Sequence, residues 1–431
     1  MLDIKFVREN PDKVKENIKK KFQDAKLPLV DEVIELDTKV RTLKQEGDIL
    51  RNNRNVLSDS IGALMREKKI EEGNKAKEDV KKINERLITI EAEEMELAQE
   101  LKTKMMTIPN IIADDVPLGK NDEENVQLHT FGEAKVPNYE IPYHADILER
   151  LSGIDKDASG RTSGNGFYYL MGNIARLHSA ILSYARDFMI DKKGFTYCIP
   201  PFMIRSDVVT GVMSFAEMDN MMYKIEGEDL YLIGTSEHSM IGKYKDTLTK
   251  KEELPLTLTS YSPCFRKEVG AHGIEERGIY RVHQFEKQEM IVICEPEESA
   301  DWYEKMWKIS SEFFTSIDIP HRVIECCSGD LADLKVKSCD VEAWSPRQNK
   351  YFGELGSCSN LGDAQSRRLG IKVKDSEGNK YFAHTLNNTV VAPPRMLIAF
   401  LENNLNKDGS VNIPVSLRPY MGGKEKIEVK K

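Results

Sequence analysis

The chain has 431 residues, 40% of them hydrophobic and 31% charged, and a formal charge of −9. That length suits two or three domains with a sizeable core, and the acidic balance excludes a globally polycationic nucleic-acid binder, so a polyanion would need a local basic stripe. Seven cysteines, an odd number scattered from Cys198 to Cys358, do not resemble a disulfide framework and suit a reducing cytosol.

No apolar run reaches the roughly 20 residues of a membrane helix. The opening "MLDIKFVREN" has no signal-type apolar core, so a cytoplasmic protein is expected. From about residue 27 to 106 the chain is dense in Lys, Arg and Glu and almost free of aromatic residues. Apolar residues recur there at alternating spacings of four and three. Leu36, Val40, Leu43, Leu50, Leu57, Ile61 and Leu64 form one series, with Gly47 and Arg54 in its gaps. Ala76, Val80, Ile83, Leu87, Ile90, Leu97 and Leu101 form another, with Glu94 in its gap. This is a coiled-coil seam, and it predicts two helices that fold back as an antiparallel hairpin about 50 Å long. "EKKIEEGNK" (67–75), which contains Gly73, breaks the seam and predicts the turn. Basic residues along the arm include Arg51, Arg54, Lys68, Lys69, Lys75 and Lys77. They fit either a solvated spacer or dimerisation device, or a face that follows a nucleic-acid backbone.

"TIPNIIADDVPLGKNDEEN" (107–125) reads as a linker, and the texture beyond it is globular. Apolar strands such as "LPLTLTSYSPCFR" and "MIVICEP" alternate with helical stretches at 174–194 and 298–317. The prediction is an α+β protein: a helical coiled-coil arm over 1–110 and, over 111–431, a domain built on an antiparallel sheet flanked by helices.

One segment is too polar for an ordinary core strand. In "RGIYRVHQFEKQEM" (277–290), strand alternation puts Arg281, His283, Phe285, Lys287 and Glu289 on one face. The preceding arm, "SPCFRKEVGAHG", puts Arg266 and Glu268 on one face of another strand, and the glycine-punctuated "GAHGIEERG" (270–278) joins the two. A row of cation, ring and acid suits a long ligand that is anionic in one part and flat in another.

"FRKE…RGIYRVHQFEKQE" resembles the second signature motif of class II aminoacyl-tRNA synthetases, in the form used by seryl-tRNA synthetases. "GTSE" (234–237), "ELGSCSN" (354–360) and "HTLNNTVVAPPR" (384–395) resemble that family's other site motifs, in order. "GFTYCIPPFMI" (194–204) resembles its first, dimer-forming motif, and "LRPYMGG" its C-terminus.

The resemblance implies that serine attacks the α-phosphate of ATP to give seryl-adenylate, and that the 3′-terminal ribose of tRNA(Ser) then takes the seryl group. It further implies tRNA(Sec) as a second acceptor, a homodimer, and use of the helical arm to bind tRNA. By match to the motifs, Arg266 meets the α-phosphate and Glu268 the adenine amino group. Phe285 lies beneath adenine and Arg395 above it. Arg281 reaches phosphates, the Val282 backbone lies beside the base, and Lys267, Leu355 and Gly356 complete the nucleotide site. Glu354 and Ser357 match magnesium ligands. Thr235, Ser236, Glu237, Arg266, Glu289, Asn387 and Thr389 match the serine pocket, which resembles the zinc-free type. Cys326, Cys327 and Cys339 lack zinc-site spacing.

Three positions depart from the commoner family forms: His238, Gly356, expected to loosen the magnesium loop, and the pair Pro393-Pro394. His238, His272, His283 and His384 are read as structural hydrogen-bonders, since the chemistry needs no side-chain nucleophile. Two rival readings are an adenylating enzyme that charges a carrier protein and a non-catalytic RNA-binding paralogue. The intact arm opposes the first, and the retained Arg266, Glu268, Glu289, Glu354, Thr389 and Arg395 oppose the second.

Overall fold

The computed structural model describes residues 1–268 and 278–429, so all but Gly278 of the expected 270–278 loop, His272 included, lies outside the described residues. The chain forms two compact units, Met1–Pro109 and Asn110–Lys431. None of the helices among the described residues is long and apolar enough to cross a membrane.

In the first unit, the short helices α1 (Ile4–Glu9) and α2 (Pro11–Lys20) pack on the long α3 (Leu27–Arg66), which is antiparallel to α4 (Ile70–Thr107). At 40 and 38 residues the arms exceed the expected length, and a 40-residue helix spans about 60 Å. Every seam position is buried or half-buried, including Gly47, Arg54 and Glu94 in the gaps. Lys44–Glu94, Glu46–Arg86, Arg51–Glu91 and Glu32–Lys104 bridge the two arms. Exposed pairs of this kind add only tenths of a kcal/mol, so the apolar seam carries the hairpin.

The turn is shorter than 67–75. Only Glu67–Lys69 separate the helices, and Lys68 adopts a left-handed φ of 58°. Gly73 lies inside α4, where an added Cβ would come within 3.1 Å of the Met65 sulfur. Its role is therefore close helix approach beside the turn.

The second unit is α+β. Its main sheet contains β1 (Val126–Phe131), β2 (Thr196–Tyr197), β3 (Leu256–Phe265), β4 (Gln284–Cys294), β5 (His321–Glu325), β6 (Lys337–Ser345), β7 (Lys350–Asn360) and β8 (His384–Val391). Their spatial order is β1-β5-β6-β7-β8-β4-β3-β2, and every pairing is antiparallel except β2 with β3. Helices α5 (Gly172–Asp187), α7 (Ser299–Ser316) and α8 (Pro393–Asn404) pack on the sheet, as does the short α6 (Ser236–Gly242).

Strand β4 organises the interior. Met290, Val292 and Cys294 enter the main core with Leu177, Ile181, Met306 and Phe400. The alternate Ile291 and Ile293 join a smaller core with Met240, Ile241 and Leu369. Each such side chain is worth roughly 1.5–3 kcal/mol when buried. Both faces of β4 are thus anchored, which fixes where its polar N-terminal half points.

Candidate active site

β4 begins at Gln284, three residues later than the sequence pattern suggests. The preceding His283 is held locally: its amide donates to Gly166 O at 2.8 Å and its carbonyl accepts from Arg266 N at 2.9 Å. Its Nδ1 lies 3.0 Å from both Tyr223 Oη and Arg266 O. Likewise β3 stops at Phe265, so Arg266 and Glu268 follow the strand, with Glu268 at a left-handed φ of 47°. His283 is a structural clamp, as expected, and it fixes the backbone that presents Arg266.

Arg266, Glu268, Arg281, Val282, Phe285, Glu354, Leu355, Gly356, Thr389 and Arg395 line one cleft with about 560 Å³ of free space. Lys287, Tyr280, Ala392 and Pro394 complete its walls. The Arg266 guanidinium stands 5.3 Å over the Phe285 ring, and its Nε donates to Gly234 O at 3.2 Å. Arg395 stands 5.0 Å over Tyr280 and donates from Nη1 to Glu354 Oε2 at 3.0 Å. Three guanidinium groups, two rings and two carboxylates line this one cleft, a composition suited to a planar base with a polyphosphate tail.

Glu354 and Ser357 are three apart, a spacing that sends strand side chains to opposite faces. Here the register with β6 shifts between Val341 and Glu342: Gly356 pairs with Val341, Glu354 with Glu342, and Leu355 is left over. The bulge turns the odd spacing into a shared side. Burial pushes the Glu354 carboxyl upward, but Arg395 and Lys335 outweigh it, and the net effect holds the group below its usual range. An ionised carboxylate beside a hydroxyl is an oxygen donor set that fits a hard divalent cation. Ser357 Oγ lies 3.3 Å from Ser338 Oγ and 3.4 Å from Lys335 Nζ. Across the ladder, Asp340 is pushed up to about 7 by burial and by Glu354.

Gly356 does not act as a loosening residue. An added Cβ would lie 3.0 Å from both Thr389 Cβ and Thr389 O, so the glycine lets β7 and β8 approach closely beside the cleft. His238 is buried, with Nδ1 unpartnered; burial, then Arg266 and Lys287, push it down to about 3. Pro393 and Pro394 open α8, where missing amides cost nothing.

Deeper polar groups adjoin the cleft. Thr235 Oγ1 donates to Glu289 Oε2 at 3.2 Å, and the Lys287 ammonium binds the same oxygen. Glu237 accepts from Gln365 Nε2 at 2.8 Å, and Gln365 in turn accepts from Thr385 at 2.6 Å. Burial and then Glu289 push Glu237 up to about 7. Asn387 is half-buried and alternates with Asn388, which turns inward to Met306 O and Ser310. Ser236 is wholly buried with an unpartnered hydroxyl, and Lys267 reaches Asp219 O at 3.4 Å; neither lines the cleft.

Lys287, Tyr280, Lys335 and Asp340 are the groups that motif matching does not assign. Lys287 was within reach, since strand alternation already puts it beside Phe285 and Glu289. Among the described residues, the one cluster of potential metal ligands is Cys326, Asp330 and Asp340. Burial pushes the Cys326 thiol well up, which opposes the thiolate that zinc requires.

Residues 1–112 match the family described as "Seryl-tRNA synthetase N-terminal domain", and 222–404 match "tRNA synthetase class II core domain (G, H, P, S and T)". A serine–tRNA ligase of Methanoculleus marisnigri is 38% identical over 99% of this chain and 100% of its own. The crystal structure of seryl-tRNA synthetase from Pyrococcus horikoshii complexed with ATP superposes with a TM-score of 0.92, at 38% identity, over 100% of both chains. That of the cytoplasmic serine-tRNA ligase of Naegleria fowleri in complex with AMP gives 0.87, at 33% identity, over 100% of this chain and 99% of the other. With its cleft, its arm and its whole length accounted for by these relatives, the chain belongs to the seryl-tRNA synthetase family.

Proposed function

We propose that the protein ligates L-serine to tRNA(Ser) through seryl-adenylate, consuming ATP and releasing diphosphate and AMP. The observation that carries this reading is a cationic, ring-bearing cleft that suits a nucleotide, adjoined by a buried cluster of carboxylates and hydroxyls, Glu289, Glu237, Thr235 and Thr389, that suits a zwitterion with a hydroxymethyl side chain.

Adenine lies on Phe285 with Arg395 over its other face and Glu268 accepting from its amino group. Stacking of this kind is worth roughly 1–3 kcal/mol, enough to position ATP. A serine carboxylate oxygen attacks the α-phosphorus and diphosphate leaves. Negative charge grows on the α-phosphoryl oxygens, where the Arg266 fork stabilises it. Arg281 and the backbone at Val282 hold the nucleotide beside Leu355 and Gly356, with Lys267, turned to Asp219, outside the cleft. Glu354 and Ser357 would hold a magnesium ion, which would supply neutralisation of the phosphate charge. The 3′-terminal ribose hydroxyl then attacks the seryl carbonyl, and AMP leaves.

Glu289 and Glu237 receive the serine ammonium and hydroxyl, with Thr235, Asn387 and Thr389 around them and Ser236 supporting from beneath. A pocket that hydrogen-bonds the hydroxyl penalises alanine, which strands buried polar groups. Zinc is not needed, because these donors are carboxylates, hydroxyls and an amide.

Residues 1–110 act as the tRNA-binding arm and 111–431 as the catalytic domain. Lys68, Lys75 and Lys77 are exposed close to the hairpin turn, which suits phosphate contacts; Lys69, also exposed there, is paired with Glu67, and Arg51 is engaged by Asp48 and Glu91. Arg54 lies farther from the turn, on α3. The protein acts as a homodimer in the cytoplasm, with tRNA(Sec) as a second acceptor on family grounds. Short β2 ends the main sheet, and Ile199 beyond it is 73% exposed, which supports a partner there. Incubation with ATP, total tRNA and each amino acid in turn tests the reading. Serine alone should be esterified to tRNA, and charging of another amino acid, or of none, would refute it.

A further inference from the structure

Lys287 lies within the matched segment "RGIYRVHQFEKQE", yet the match gives it no role, and its ammonium is paired with a carboxylate of the proposed serine pocket. Its side chain is 8% exposed and that of Glu289 is 2% exposed. The ammonium binds Glu289 Oε2, the oxygen that also accepts from Thr235, and lies 3.5 Å from the Thr389 hydroxyl. Glu289 Oε1 makes no hydrogen bond among the described residues. One carboxylate oxygen is therefore held from two sides while the other is left for a ligand.

We propose that Lys287 is a positioning residue for serine selection: by pinning Oε2 of Glu289 and the Thr389 hydroxyl together, it aims Oε1 at the ammonium of the incoming amino acid. This rests on the reading of the chain as a serine-activating enzyme. A lysine at strand spacing i, i+2 from a glutamate shares its face, so β4 itself sets the geometry.

The surroundings of Lys287 make the idea testable by pH. Around it stand Glu289 and Thr389, Glu237 and His238 from α6, and Cys264 and Arg266 at the end of β3. Glu237, pushed up to about 7, faces Glu289, Lys287, Gln365 and Lys335. Lys287 and Lys335 both act to lower it. Removing the Lys287 charge must move the titration of Glu237 upward.

The experiment is ATP–pyrophosphate exchange by the full-length protein over pH 6–9, with Lys287→Met, Lys287→Arg and Glu237→Gln compared with wild type. Lys287→Met should raise the serine KM at neutral pH about tenfold to a hundredfold, the loss expected for a hydrogen bond to a charged group, with the ATP KM within twofold of wild type. Its acid limb in kcat/KM for serine should move up by about one pH unit. Lys287→Arg should recover most of both effects, and Glu237→Gln should abolish the limb. A wild-type serine KM and limb in Lys287→Met would overturn the inference. So would equal rises in both KM values with an unmoved limb, which would mark a merely structural lysine. Should Lys287→Met fail to fold, Lys287→Gln takes its place and is read by the same two KM values and the same limb, with the same outcomes upholding or overturning the inference. Absence of serine-dependent exchange in the wild type would instead overturn the functional reading itself.

Discussion

Replacing Gly356 with alanine should separate the serine pocket from the nucleotide cleft. The added methyl would sit 3.0 Å from both Thr389 Cβ and Thr389 O, closer than carbon contacts normally allow. Neither neighbour gives easily. Thr389 O accepts from Ser310 Oγ at 2.9 Å, and β8 is flanked by β7 and β4. Overpacking a closed site typically costs about 1–3 kcal/mol. If expressed wholly in the position of Thr389, that is roughly a five- to 150-fold weaker interaction with serine. Phe285 belongs to β4, and Arg266 and Glu268 follow β3, so the nucleotide groups on that side keep their places; Gly356 itself lines the cleft, and the ATP KM should rise by less than the serine KM. Initial rates of pyrophosphate exchange, with serine and ATP varied separately, give the two KM values, and a thermal melt reports the packing cost. The reasoning fails if Gly356→Ala keeps a wild-type serine KM and melting temperature, or if the ATP KM rises equally.

Arg266→Ala should lose about 10²–10³-fold in the rate of adenylate formation with a wild-type circular dichroism spectrum, and a near-normal exchange rate would count against its placement at the α-phosphate. Deleting residues 30–105 should spare exchange and abolish charging of tRNA; surviving charging would make the arm a spacer. The raised Glu237 carboxyl fixes the sign of a stability effect. Its folded value of about 7 exceeds the ordinary 4.5, so the folded state holds the extra proton between those limits. That group's contribution is full below about 4.5 and is lost as pH rises through 7, by an amount of order 3 kcal/mol. Relative to Glu237→Gln, the wild type should lose melting temperature from pH 5 to 8, and parallel curves would refute the burial argument.

The arm was largely legible because a heptad seam is a local pattern, and each of its positions is at least half-buried. The turn was less so: a glycine in a polar run reads as a break, whereas the contact of Gly73 with Met65 is a tertiary fact. Alternation placed Lys287 beside Phe285 and Glu289 correctly, since β4 is regular from Gln284 onward. It could not show that Arg281 and Arg266 stand outside the strands, because His283 and its bonds to Gly166 and Arg266 close the backbone there. The bulge at Leu355 is invisible to periodicity, yet it alone puts Glu354 and Ser357 on one side. Residue types were readable from motifs; the pairings that hold them, Arg395 with Glu354 and Lys287 with Glu289, were not.

The central claim is that one cleft activates serine on ATP. Exchange of labelled pyrophosphate into ATP, with magnesium present and tRNA absent, measures that step alone. Exchange should depend on serine and be much weaker with alanine or threonine. Exchange that ignores serine, or none with any amino acid, would contradict the account.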